Sequence, residues 1–263
     1  DIVSLIKRSL KINKRKEEFV MSDNGSRPLI GVTVGDPAGV GPEIVIKALQ
    51  DGGVREQVRS VVYADRACLQ QTVEMLGAEV ELNEVVSPAD GKDEAGVVDF
   101  IEVGSLAGPI AYGQISAEGG QAGYAYLDRA IDAALAGEVV GLATAPLNKE
   151  SLQAGKVPFI DHTAVLKSRA AHREAMTLFV VRGLRIFFLT RHISFREIAD
   201  AITGEGILEA LPLCELYLRQ LGLDEPLIAV AALNPHGGEQ GLFGTDEMDV
   251  IGPAVTEIGR AHV

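Results

Sequence analysis

The sequence predicts an α/β fold with a largely parallel sheet. Short apolar runs alternate with amphipathic, helix-like segments from residue 28 to the end of the 263-residue chain, which is the signature of repeated strand–helix units. Aromatics make up only 5% and Trp is absent, while hydrophobic residues reach 47%. The core therefore rests on Val, Ile, Leu and Ala, which suits strands covered on both faces.

The elements follow in order. PLIGVTV (28–34) reads as a buried strand, PEIVIKALQ (42–50) as a helix and SVVYAD (60–65) as the next strand. RACLQQTVEMLGA (66–78) has helical apolar spacing, and it precedes the strands VELNEV and VVDFIEV (97–103). GGQAGYAYLDRAIDAALAGE (119–138) is the clearest amphipathic helix, ending near Gly137. VVGLATAP (139–146) is a strand, followed by a helix from Lys149. AMTLFVVRG and LRIFFLTRH read as two strands in a hairpin across Arg182-Gly183. SFREIADAIT and GILEALPLCELYLRQLGL are helices, PLIAVAALNP a further strand, and TDEMDVIGPAVTEIGRA a closing helix.

A lobe boundary is expected near residue 150, giving a first lobe over 28–150 and a second over 151–263. Residues 1–27 read as a disordered extension outside the fold, with Met21 as a natural start. They lack the apolar core and cleavage site of a secretory signal. With 24 Lys plus Arg against 37 Asp plus Glu, the net charge of −13 makes nucleic acid and anionic membranes poor partners. Cys68 and Cys214 are the only cysteines and lack metal or redox spacing, which fits a reducing cytoplasm.

Several stretches carry chemistry. GVTVGDPAGVGPE turns a strand into a helix with Pro42 at its first position and Glu43 in its first turn. It is neither a P-loop nor a GxGxxG fingerprint. TAPLNK places Lys149 at a strand end, where it is a candidate acid/base or anion contact; a solvated helix-start lysine is the bland reading. FIDHTAVL sets His162 beside Thr163 in a polar turn, a pair suited to substrate oxygens, unless Asp161 or Thr163 simply caps the next helix. His192 follows RIFFL and His236 follows LIAVAA. Both thus stand at strand C-terminal ends, where open α/β sheets bind ligands. Neutral imidazole is a common metal ligand, so His192 and His236 are metal candidates. Gly237 and Gly238 permit close backbone approach, and Glu239 can orient a ligand. His172 and His262 receive no role.

GDPAGVGPE, GQISAEGGQA, TAPLNK, FIDHT, TRHISFREIADAIT and NPHGGEQGLFG occur in the order found in the 4-hydroxythreonine-4-phosphate dehydrogenase (PdxA) family, which the chain resembles from about residue 28 to its end. The resemblance implies a two-lobed fold like that of isocitrate and isopropylmalate dehydrogenases, working as a cytoplasmic homodimer with a site shared between subunits. It implies that His162 and Thr163 bind substrate and that His192 and His236 are two of three divalent-metal ligands. The third histidine, in a YHDQG-like stretch, and the substrate-holding lysine, asparagine and arginine after it would lie beyond Val263, leaving the fold incomplete at its C-terminus. Asp161 stands where the family usually has Gly, and Arg191 where it usually has Thr.

The implied reaction is oxidation of 4-phosphooxy-L-threonine by NAD or NADP with Zn, Mg, Mn or Co. Decarboxylation would then give 3-amino-2-oxopropyl phosphate for pyridoxal 5'-phosphate synthesis. The cofactor-binding residues remain open. The nearest alternative is D-threonate or D-erythronate 4-phosphate dehydrogenase. Alternatives of other classes are a phosphate acyltransferase and an inactive binding fragment.

Overall fold

A computed structural model describes residues 27–169 and 176–259 of the chain. The chain divides into two units with the break between Ala175 and Met176, so the described residues up to Arg169 belong to the first and those from Met176 to the second.

In the first unit β1 (Leu29–Thr33) leads to α1 (Gly41–Leu49), the short α2 (Gly52–Arg55) and β2 (Arg59–Ala64). Then follow α3 (Arg66–Leu76), β3 (Glu81–Glu84), β4 (Val97–Glu102), α4 (Ala117–Leu135) and β5 (Gly141–Thr144). The five strands form one parallel sheet in the order β3-β4-β2-β1-β5. Alternate residues of β2 face opposite sides, as the two-residue strand period requires. Val62 and Ala64 pack with Val45, Ile46 and Leu69 of α1 and α3, whereas Val61 and Tyr63 pack with Ala130 and Ala133 of α4. Helices thus cover both faces, as the composition predicted.

The unit then closes with α5 (Lys149–Ala154) and α6 (His162–Arg169). Both pack on α4: a Cβ on Gly120 would stand 1.9 Å from the Ser151 carbonyl oxygen, and Val165 is buried with Leu127 and Ile131. This packing is why the break falls after α6 and not near residue 150. Arg27 belongs to the fold as well, ion-pairing Asp93 and donating to the Arg55 carbonyl. The rest of the expected extension lies outside the described residues.

Buried Asp65, at the end of β2, accepts hydrogen bonds from Ser105 N (2.8 Å), Leu106 N (2.9 Å) and the Tyr126 hydroxyl (2.7 Å). It thereby ties the loop after β4 to α4.

In the second unit β6 (Leu178–Val181) and β7 (Leu184–Phe187) form the expected antiparallel hairpin. Its turn residues Arg182 and Gly183 have φ of 49° and 89°, and two positive φ values match the twist of a two-residue hairpin. After a 3-10 turn (Phe195–Glu197) come α7 (Ile198–Ala201) and α8 (Gly204–Gln220), the latter running through Pro212. The closing helix is interrupted: a π turn (Glu247–Ile251) precedes α9 (Gly252–Ile258). Pro253 supplies no N–H and its ring crowds the carbonyl four residues back, which the wider π turn accommodates.

The expected strand PLIAVAALNP is not formed as a ladder. Among the described residues, 226–233 carry a single bridge residue at Ala229, with half-buried and exposed positions alternating over 226–231. No helix among the described residues is long and apolar enough to cross a membrane.

Candidate functional site

In the first unit the chain leaves β1 toward β2 on one side, while β5 joins β1 on the other. The C-terminal ends of β1 and β5 therefore flank the switch point, where open α/β sheets take ligands. Three of the sequence motifs meet there. Asp36 N donates to the Pro146 carbonyl at 3.0 Å, joining the GDPAGVG turn to TAPLNK. Gly35 sits at φ 70°, and a Cβ there would stand 2.2 Å from Pro146 O, so only glycine fits. Buried Asp36 accepts from Ala38 N at 2.9 Å and so shapes the turn. A Cβ on Gly119 would stand 2.9 Å from Asp36 Oδ1, which brings the SAEGGQA start of α4 against the same turn. Ser116 caps that helix, accepting from Gly119 N at 2.9 Å.

His162 opens α6 and is half-buried, its Nε2 3.2 Å from the Ala145 carbonyl at the end of β5. Burial pushes its pKa below 6.5, opposed by the Ala145 carbonyl and the Asp161 charge. The ring is then neutral at pH 7. A carbonyl only accepts, so Nε2 carries the proton and Nδ1 keeps a free lone pair for a ligand hydroxyl. Thr163 is half-buried beside it. Asp161 caps α6 through Ala164 N at 2.9 Å, which gives its departure from the family pattern a local role. The expected polar turn at FIDHT is thus already a helix start. Asn148 caps α5, accepting from Glu150 N and Ser151 N at 2.9 and 3.1 Å. This leaves Lys149 exposed in the first turn, free to meet an anion. Sequence reasoning passed over Asp36 and the Ala145 carbonyl; a carboxylate inside a glycine-rich turn was the available signal for the first.

In the second unit both metal candidates are exposed. His192 lies between β7 and the 3-10 turn with φ 57°, a left-handed conformation uncommon for a non-glycine residue. The Arg191 guanidinium beside it donates to the Thr177 hydroxyl. His236 begins the turn Gly237–Gln240, its Nδ1 3.0 Å from Glu239 Oε1 and its ring 5.1 Å from that of Phe243. Among the described residues no group of three or more His, Cys, Asp or Glu forms a metal-ligating set. The donor chemistry nevertheless fits a divalent ion: an imidazole held at Nδ1 by a carboxylate presents Nε2 as a ligand. His172 and His262 lie outside the described residues. Cys68 and Cys214 are buried free thiols, and burial pushes Cys68 up to about 12, which makes it inert.

Comparison with known proteins fits these motifs. The family model described as pyridoxal phosphate biosynthetic protein PdxA matches residues 56–263. A protein of Symbiobacterium thermophilum, provisionally named D-threonate 4-phosphate dehydrogenase, is 42% identical over 233 residues, covering 88% of this chain and 70% of that protein. The 4-hydroxythreonine-4-phosphate dehydrogenase of Burkholderia phymatum shares 34% identity and superposes with a TM-score of 0.80, covering 89% of this chain and 71% of its own. That of Klebsiella pneumoniae shares 32% identity with a TM-score of 0.81, covering 90% and 72%. Both comparisons lead to dehydrogenases, and the chain belongs to the PdxA family.

Proposed function

We propose that the chain oxidises the secondary alcohol of a four-carbon hydroxy acid bearing a terminal phosphate, with NAD or NADP as hydride acceptor. The observation that carries this reading is His162 at the switch point, neutral and bonded through Nε2 to the Ala145 carbonyl. Its Nδ1 and the Thr163 hydroxyl hold substrate oxygens. Lys149 is the candidate acid/base, placed to take the hydroxyl proton or to meet an anionic group. His192 and His236 would hold a divalent cation, Zn, Mg, Mn or Co, which when bound supplies Lewis acidity to the hydroxyl. Hydride leaves the alcohol carbon for the nicotinamide and the hydroxyl proton leaves to a base; the resulting 3-oxo acid then loses CO₂. The protein's part is orientation. We place the enzyme in the cytoplasm as a homodimer with a site shared between subunits, as the family resemblance supports.

Two substrates fit the class. D-threonate 4-phosphate, whose oxidation and decarboxylation would leave dihydroxyacetone phosphate, stands first because relatives at 42% and 37% identity carry that provisional name. 4-Phosphooxy-L-threonine stands second, on solved structures at 34% and 32% identity. This reverses the order in which the family resemblance placed them. The test is nicotinamide reduction followed optically with each substrate, each nucleotide and added divalent metal. Turnover of D-threonate 4-phosphate, with a raised KM in His162→Ala, is expected. Reduction with phosphooxythreonine alone would reverse the order, and turnover of neither would end the proposal.

A further inference from the structure

The loop bearing His236 is built in an unusual way. Five consecutive residues, Gly237 to Gly241, have positive φ: 58°, 72°, 41°, 57° and 93°. For the three glycines this is ordinary, but Glu239 and Gln240 adopt a conformation that their Cβ atoms disfavour. The chain doubles back, and this sets Glu239 Oε1 3.0 Å from His236 Nδ1. The opposite side of the loop is locked. Gly241 N and Phe243 N both donate to the Gly238 carbonyl at 3.0 Å, and Leu233 N donates to Glu247 Oε1 at 2.9 Å. A Cβ on Gly238 would stand 2.8 Å from both Glu247 Oε2 and the Gly244 carbonyl oxygen, so the turn has no slack there.

An exposed His–Glu pair usually contributes little, and His236 and Glu239 are 59% and 51% exposed. Such a pair could not by itself hold two residues in a disfavoured conformation. The locked loop imposes the contact, and the contact then acts on the ring, with Phe243 packed against it.

We infer that Glu239 is a positioning residue: its carboxylate accepts the Nδ1 proton of His236 and fixes the neutral ring with the Nε2 lone pair free to bind a divalent cation. Only the last step rests on the metal role proposed above; the tautomer stands without it. This is the tautomer that an unrestrained exposed imidazole disfavours, so observing it is informative.

The test is nitrogen NMR of the metal-free protein labelled in histidine, above the imidazole titration, with the His236 signal assigned from His236→Asn. The wild-type ring should carry its proton on Nδ1. Glu239→Ala should move it to Nε2, while Glu239→Gln, whose amide oxygen still accepts, should stay close to wild type. Both side chains are exposed, so these variants should melt like wild type. In calorimetric titration with Zn²⁺ alone, Glu239→Ala should bind about 10- to 100-fold more weakly, with Glu239→Gln between the two. A wild-type ring protonated on Nε2, or a Glu239→Ala ring still protonated on Nδ1, overturns the positioning role; where His236→Ala weakens Zn²⁺ binding, unchanged Zn²⁺ affinity in Glu239→Ala overturns its effect on the metal. If His236→Ala binds Zn²⁺ as wild type does while the wild-type ring is protonated on Nδ1, the metal reading fails and the tautomer inference survives.

Discussion

Adding one methyl group at Gly120 measures how closely α5 must lie on α4. The new Cβ would stand 1.9 Å from the Ser151 carbonyl oxygen, 2.3 Å from its carbon and 2.7 Å from Leu152 N. All three are backbone atoms, so no rotamer change relieves the clash. Reaching the 3.4 Å of ordinary contact requires the helices to part locally by about 1.5 Å. Overpacking of this kind costs about 1–3 kcal/mol, and the absence of a flexible neighbour puts Gly120→Ala at the upper end. Replacing a glycine inside the helix by alanine returns at most about 1 kcal/mol of helix propensity. The net loss of about 2 kcal/mol corresponds to a fall in Tm of roughly 4–8 °C for a domain of this size. Moving α5 also moves Asn148 and Lys149 relative to the Gly35–Asp36 turn, so the KM for the phosphorylated substrate should rise. Thermal melts followed by far-ultraviolet circular dichroism read the first effect and initial rates the second. Gly204→Ala is the control: nothing lies within 4 Å of a Cβ there, and its Tm should stay level or rise slightly. A Gly120→Ala protein as stable as wild type would refute the idea that this close approach fixes the two helices.

Three further outcomes are expected. Asp65→Ala leaves Ser105 N, Leu106 N and the Tyr126 hydroxyl without their buried acceptor, and urea unfolding should show a loss of about 3–5 kcal/mol. Tyr126→Phe alone should cost about 1 kcal/mol but nothing in the Asp65→Ala background, and equal cost in both would disprove the pairing. For His162, whose folded pKa lies below 6.5, stability is level above the unfolded pKa, where the ring is neutral in both states. As pH falls below 6.5 the unfolded chain takes up a proton that the folded chain refuses, so stability declines, levelling off below the folded pKa. His162→Gln should lose this decline, and an unchanged pH profile would count against burial as its cause. Arg169, one-third exposed, bridges Asp128 at 3.3 Å and also Asp132, holding α6 on α4. Arg169→Met should therefore cost less than about 1 kcal/mol of stability, yet raise KM by loosening the helix that His162 begins. An unchanged KM would detach the bridge from the site.

What could be read from the residues follows the range of the physics involved. β1 to β5 and the longer helices between them were legible because each is specified locally, by an apolar run, an amphipathic spacing or a turn glycine, whereas the one-turn α2 was not. The sheet order was not, because a strand's own residues do not name its neighbour. Hence the switch point joining GDPAGVG to TAPLNK through Asp36 and Pro146 emerged only in three dimensions. The helix opened by His162 was foreshadowed only by its cap at Asp161. It has one fully buried residue, Val165, and takes its anchor from Arg169 across to α4, so no apolar stripe announces it. The same distinction governs residues 226–233, where an apolar run reads as a strand but only the bridge at Ala229 forms among the described residues. At His236 the sequence named a candidate ligand, while the orientation of its ring depends on positive φ at Glu239, which a glutamate does not advertise. Residue type thus foretold which donors were available, while a contact across the fold to Ala145 orients the His162 ring and a contact within its own turn to Glu239 orients that of His236.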